Sequence, residues 1–247
     1  MPPAERIATF DQDGTLWVEH PMYSQVIYCL DRVPVVVKAK PEPANVEPFN
    51  AEVKKWLAES RDPRWKRPYT ELTYLPMQEV LKYLRANGYR TYIVTGGGQD
   101  FVRVYAEQTY GIPPEQVVGT SSGTKYGYDK HGKPVLTKEP KLLLNDDNAG
   151  KPEGIHLMIG RRPHAAFGNS SGDRQMLEYT KAGNGERLAM LVLHDDSKRE
   201  YAYGPAHGLP NTKVGTFPQA LYDEAKQNGW VVVSMKDDWK QIFSFEP

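Results

Sequence analysis

Apolar positions along this chain follow two alternating rhythms. Short continuous apolar runs at 7–10, 92–94, 165–167, 188–193 and 231–233 have the length of strands buried on both faces. Between them, apolar residues return every three or four positions. Val80, Leu81 and Leu84 do so within 76–87, and Phe101, Val102 and Tyr105 within 99–110; the segments 172–181 and 218–228 repeat the pattern. Gly88, Gly111 and Gly229 stand where three of these helices should stop. Strands alternating with amphipathic helices predict βαβ units. The fold class expected is therefore α/β, a doubly wound, Rossmann-like parallel sheet.

Two stretches break the alternation. Residues 17–73 carry mixed signals, with helical patches at 22–30 and 52–58 around a centre containing Pro41, Pro43 and Pro48. They predict a small, mostly helical insertion between the first strand and its crossover helix. The chain then divides into a core of residues 1–16 and 74–247 and a cap insertion of residues 17–73. Residues 120–141 alternate in polarity and are punctuated by Gly, Ser and Thr, which predicts a β-hairpin flap.

The length of 247 residues suits one large domain or a domain with an insert, and 39% apolar residues can build its core. Lys and Arg balance Asp and Glu at 31 each, so no global field favours nucleic acid or an anionic membrane. No apolar run approaches the ~18 residues that a membrane helix needs. The first six residues lack the apolar segment of a signal peptide, which makes the cytoplasm the default expectation; the periplasm stays open to a chain whose leader has been removed. The single Cys29 excludes an intramolecular disulfide and a multi-thiolate zinc site. Its run, Val26-Ile27-Tyr28-Cys29-Leu30, predicts a buried small hydrophobe. Oligomeric state leaves no signature in the sequence.

Chemistry concentrates at strand ends. The first run ends in Asp11-Gln12-Asp13-Gly14-Thr15, and the carboxyl end of a strand is where open α/β sheets hold ligands. Two carboxylates there repel each other. They need a metal, a positive substrate, or a division of labour in which one stays protonated. The second strand ends in Thr95-Gly96-Gly97-Gly98 before a helix, which lets backbone N–H groups approach an anion. Lys151 follows Gly150. The strand at 165–167 leads into Gly168-Asn169 and, four residues beyond Asn169, Asp173. Hard oxygen ligands of this kind suit Mg²⁺.

These four sites, in this order, resemble the haloacid dehalogenase-like superfamily of phosphohydrolases. Its pattern is Asp-x-Asp-x-Thr, a Ser or Thr after the second strand, a Lys, and an acidic pair on a later strand. The Thr-Gly-Gly run, the Gly-Lys and the place of the insert most resemble the phosphoserine phosphatase-like branch, where the insert is a cap over the active site. The resemblance implies a Mg²⁺-dependent phosphomonoesterase acting on a small-molecule phosphate ester. Asp11 would be the nucleophile that forms an aspartyl-phosphate, and Asp13 the general acid and then the base. Thr95, Gly96 and Gly97 would hold phosphate oxygens, and Lys151 would neutralise Asp11 and the phosphoryl group. Mg²⁺ would be held by Asp11, the Asp13 carbonyl, Asn169 and Asp173. Trp17 and Glu19 are the expected contacts to the organic group.

Two departures qualify this reading. Asn169 stands where most relatives carry Asp, so one charge is lost at the metal site. Where the serine phosphatases have a Glu-Glu pair, this chain reads Glu19-His20, which argues against phosphoserine as the substrate. Dehalogenase chemistry is disfavoured by Asp13, because halide needs no proton. A phosphotransferase using the same intermediate, or a non-catalytic phosphate-binding protein on the same scaffold, are the alternatives.

Overall fold

The computed structural model describes residues 1–39 and 45–246. One seven-stranded sheet organises the chain, with strand order β4-β3-β2-β1-β5-β6-β7. The strands are β1 (Ile7–Phe10), β2 (Arg90–Gly98), β3 (Val117–Tyr128), β4 (Pro134–Leu144), β5 (Ala165–Gly168), β6 (Leu188–Leu193) and β7 (Val231–Ser234). Every neighbouring pair is parallel except β3 and β4, which form an antiparallel hairpin. The expected doubly wound α/β sheet is therefore present. The expected β-hairpin is present as β3 and β4, paired antiparallel from Ser121 with Leu144 to Tyr128 with Pro134, and β3 also pairs with β2 at its start.

β1 is buried at all four positions, which is why its sequence is a continuous apolar run and not an alternating one. Ala8 and Phe10 enter the core on one face. Phe10 lies in register with Phe167 of β5, and their rings stack at 4.3 Å on one face beside Ile93. The adjacent residues Val94, Ala166 and Leu191 face the other core.

Helices cover both faces: α3 (Leu75–Ala86), α4 (Gln99–Arg103), α5 (Ala106–Tyr110), α6 (Gly150–Gly154), α7 (Arg174–Lys181) and α8 (Gln219–Gln227). The helix expected over 99–110 is two short helices, broken at Val104 and Tyr105 and ended by Gly111 in the left-handed conformation. Between β1 and α3 stand α1 (Ser24–Ala39) and α2 (Val46–Glu59), longer than the helical patches foreseen at 22–30 and 52–58. The prolines expected at the centre of the insertion, Pro41 and Pro43, lie outside the described residues; Pro48 sits in the first turn of α2. Tyr28 of α1 packs edge-on against Phe49 and Trp56 of α2, and it also meets Phe101 of α4. Among the described residues no helix is long and apolar enough to cross a membrane.

The chain moves to one side of β1 for β2 and to the other for β5. The reversal opens a crevice at the carboxyl ends of these strands. Asp11 and Asn169 directly follow β1 and β5, and Thr95 lies near the end of β2.

Candidate active site

The turn after β1 is built around Gly14. Its φ of +72° suits glycine, and a Cβ there would overlap the Asn169 amide and the Glu19 carboxylate. The turn is held from below by His194, whose Nε2 lies 2.7 Å from the Gly14 carbonyl while Nδ1 lies 3.1 Å from Glu200. The carbonyl can only accept, so Nε2 carries the proton there. Sequence gave no reason to connect His194 to this turn: the two are 180 residues apart.

Lys151 is the centre of the site. Its side chain is 2% exposed, and its ammonium donates to Asp11 at 2.6 Å, to Asp173 at 2.7 Å and to the Val94 carbonyl at 2.9 Å. α6 brings it there because Gly150 passes so close to the Asn145 carbonyl that a Cβ would overlap it. The two carboxylates hold Lys151 as a cation, well above its ordinary range. One cation cannot neutralise both. Burial and the facing Asp173 therefore push the Asp11 carboxyl up, against the pull of Lys151.

Asp13 accepts from the Trp17 indole N–H at 2.7 Å. Burial pushes its carboxyl up to about 6, with the Trp17 hydrogen bond and Lys151 opposing. The environments of the two carboxylates thus differ: Asp11 sits on a lysine and Asp13 on a neutral donor. At the end of β2 the Thr95 hydroxyl oxygen accepts from the Gly97 N–H at 3.0 Å, which leaves its proton available for an oxygen in the cavity. The Gly98 N–H is taken by Gln25 of α1 at 2.6 Å, a direct tie between α1 and the end of β2.

Asp173 is fully engaged. Beyond the Lys151 contact, its second oxygen accepts from the Asn169 and Ser170 N–H groups at 2.9 and 3.0 Å. Asn169 points its Oδ1 to the Thr15 hydroxyl at 3.2 Å and donates Nδ2 to Glu19 at 2.7 Å. Glu19 is buried, and desolvation raises its carboxyl well above the usual range. Among the described residues no three His, Cys, Asp or Glu side chains converge as a metal site. The donors that a divalent ion would find are mixed and all hard oxygens: the Asp11 carboxylate, the Asp13 carbonyl and the Asn169 amide oxygen. They are oxygens of the kind Mg²⁺ takes; the Asn169 oxygen accepts from the Thr15 hydroxyl, and Asn169 is not among the residues that line the cavity.

Asp11, Asp13, Thr95, Gly96, Gly97, Lys151, Asp173 and Glu19 line one cavity of about 540 Å³. Its other wall is α1. Two expectations are corrected here. Trp17 does not reach the cavity: its side chain is completely buried, stacked on Tyr105 at 4.8 Å, because its indole is drawn inward to Asp13. Cys29 is exposed on the cavity wall, because the buried face of α1 is set by its neighbour Tyr28.

One further buried carboxylate escaped the sequence reading. Asp146 is completely buried, and neither of its oxygens has a hydrogen-bond partner among the described residues. Burial pushes its carboxyl up to about 7, and the charge of the nearby Lys151 offsets this only in part. A polar Asn-Asp-Asp run ahead of a loop lysine gives no sequence sign of burial.

Comparison with known proteins agrees with this geometry. No curated protein matches the chain significantly in sequence. Among solved structures, a protein of unknown function from Bordetella pertussis Tohama I superposes with a TM-score of 0.53 at 13% identity, over 93% of this chain and 98% of that one. Cytosolic 5'-nucleotidase IIIB bound to cytidine gives 0.48 at 13% identity, over 95% and 81%. A phosphoserine phosphohydrolase-like protein from Francisella tularensis subsp. tularensis SCHU S4 gives 0.41 at 17% identity, over 76% and 88%. At such identities the first likeness speaks for the fold alone. The family model for haloacid dehalogenase-like hydrolases matches residues 8–178, from the first strand through Asp11, Thr95, Lys151 and Asp173, and the chain belongs to that family.

Proposed function

We propose that the protein is a Mg²⁺-dependent phosphomonoesterase that works through an aspartyl-phosphate on Asp11. The observation that carries this reading is the Lys151 ammonium shared between Asp11 and Asp173 on the cavity floor, with Asp13 beside it on a neutral donor. Three carboxylates and one lysine leave a deficit of positive charge, and a phosphate dianion would deepen it. Asp11, the Asp13 carbonyl and Asn169 would hold Mg²⁺, while Asp173 keeps Lys151 and the Asn169 loop in place. A bound divalent ion supplies positive charge to the phosphoryl oxygens.

Lys151 orients the Asp11 carboxylate, whose free oxygen attacks phosphorus. The bond from phosphorus to the leaving oxygen breaks as that oxygen takes the Asp13 proton. Water then attacks the phosphorus, Asp13 takes back a proton, and Asp11 is freed with release of phosphate. The Thr95 hydroxyl and the Gly96 and Gly97 backbone hold the phosphoryl oxygens throughout. Deep burial keeps bulk water off the reacting group.

Steady-state hydrolysis of p-nitrophenyl phosphate tests this, with and without Mg²⁺, for the wild type and Asp11→Asn. Turnover should need Mg²⁺ and fall by more than about 10⁴-fold in the variant. Metal-independent turnover, or turnover that survives the substitution, would defeat the mechanism.

A further inference from the structure

The floor and the wall of the active-site cavity differ in kind. Opposite the carboxylates, α1 presents Val26, Leu30 and Val33, spaced four and three residues apart along one helical face. They are 38%, 61% and 52% exposed, although branched apolar side chains gain most by leaving water. Two polar side chains flank this stretch, each accepting one backbone hydrogen bond: Tyr23 from the Gly215 N–H and Gln25 from the Gly98 N–H.

The charges around the cavity limit what the wall can receive. Lys151 is the one basic side chain among the described lining residues, and both of its carboxylate partners hold it in the floor. Asp147 adds a further carboxylate to the lining beyond the catalytic pair. A leaving group with its own carboxylate or second phosphate would meet repulsion and no counter-charge. A polyhydroxylated leaving group would lose water against Val26, Leu30 and Val33 and gain no hydrogen bonds from them.

We propose that the organic part of the substrate is an uncharged apolar alcohol, aliphatic or aryl, whose chain lies along Val26, Leu30 and Val33 while its phosphate sits on the floor. This inference rests on the phosphomonoesterase reading. It gives α1 the specificity-determining role that Trp17 cannot have. Substrate binding would then bury a surface that α1 leaves in contact with water.

Binding of non-hydrolysable alkylphosphonates tests it without turnover. Calorimetric titration in the presence of Mg²⁺ would compare methyl-, butyl- and hexylphosphonate with 3-phosphonopropionate, for the wild type and Leu30→Asp. Affinity should rise about two- to fourfold per methylene in the wild type, and 3-phosphonopropionate should bind no better than methylphosphonate. Leu30→Asp should flatten the chain-length series, with any charge penalty shared equally by every phosphonate including methylphosphonate, and leave the melting temperature unchanged. A flat series in the wild type, or preference for the carboxylate-bearing ligand, overturns the inference and leaves the catalytic reading standing. Failure of every phosphonate to bind overturns both. If Leu30→Asp keeps the full series, α1 is not the wall that reads the chain.

Discussion

The floor of the cavity and its α1 wall solve opposite problems. On the floor, charged groups are taken out of water, and Asp11, Asp13, Lys151 and Asp173 each hold a named partner. On the wall, apolar groups are left in water. Burying charge is tolerable only when every member is paired, so the floor is rigid, and removing one member costs the rest. Exposed side chains of α1 have no partner to lose. The same cavity therefore contains a part that should respond to substitution in stability and turnover together, and a part that should respond in ligand choice alone.

Lys151→Met is the sharpest way to break this contrast. It leaves Asp11 and Asp173 facing each other with no cation, in a site that burial already penalises. We expect a loss of about 3–5 kcal/mol in stability, as for other broken buried pairs, together with loss of measurable turnover. Chemical denaturation and the p-nitrophenyl phosphate assay read the two effects. Full stability in the variant would mean that the floor is not the coupled unit described above. Leu30→Asp is the matched control on the wall.

Glu19→Gln tests a subtler feature of the floor. Asn169 brings no charge to the proposed metal site, but its amide donates to the Glu19 carboxylate. A glutamine can still accept from Asn169 through its amide oxygen, so geometry is kept while the charge goes. If Glu19 supplies the negative charge missing at Asn169, Mg²⁺ affinity measured by calorimetry should fall several-fold with little change in melting temperature. Unchanged affinity would assign Glu19 to holding the turn at Gly14, where it packs against Asn169.

The floor was largely legible in the sequence and the wall was not, for a physical reason. Asp11, Asp13, Thr95, Lys151 and Asp173 stand at strand ends or just beyond glycines, where topology fixes what each can reach, so residue type and order were enough to bring them together. The sheet was legible for the same cause: runs such as 188–193 are apolar because both faces are covered. Trp17, Cys29 and His194 depend on which way one side chain turns. Tyr28 took the buried face of α1 and left Cys29 outside, and the Asp13 carboxylate drew the Trp17 indole inward. Local spacing cannot rank such neighbours, because the partner that decides between them is brought in by the fold. The prolines at 41 and 43 marked a change in the chain but carried no information about the face that α1 turns to the cavity.

Asp146 offers the smallest effect and the cleanest separation of stability from catalysis. It lies outside the cavity lining and departs from the floor's rule, being buried without a hydrogen-bond partner among the described residues. Its carboxyl is raised from an ordinary value of 3.8 to about 7 in the folded protein. A carboxyl with a raised folded value costs nothing while protonated in both states. The cost begins as pH rises through the unfolded value and grows until pH passes the folded one. Stability is therefore lost progressively between about pH 4 and 7 and then levels off. Asp146→Asn removes the ionisation, so the variant should melt higher than the wild type, with a larger gain at pH 8 than at pH 5. The full shift corresponds to an upper bound of about 4 kcal/mol, and relaxation around the carboxylate should reduce the observed gain to a degree or a few in melting temperature. A gain that does not change between pH 5 and pH 8 would show that the benefit comes from packing, and that the Asp146 carboxyl is already ionised in the folded protein across that range, with no raised value.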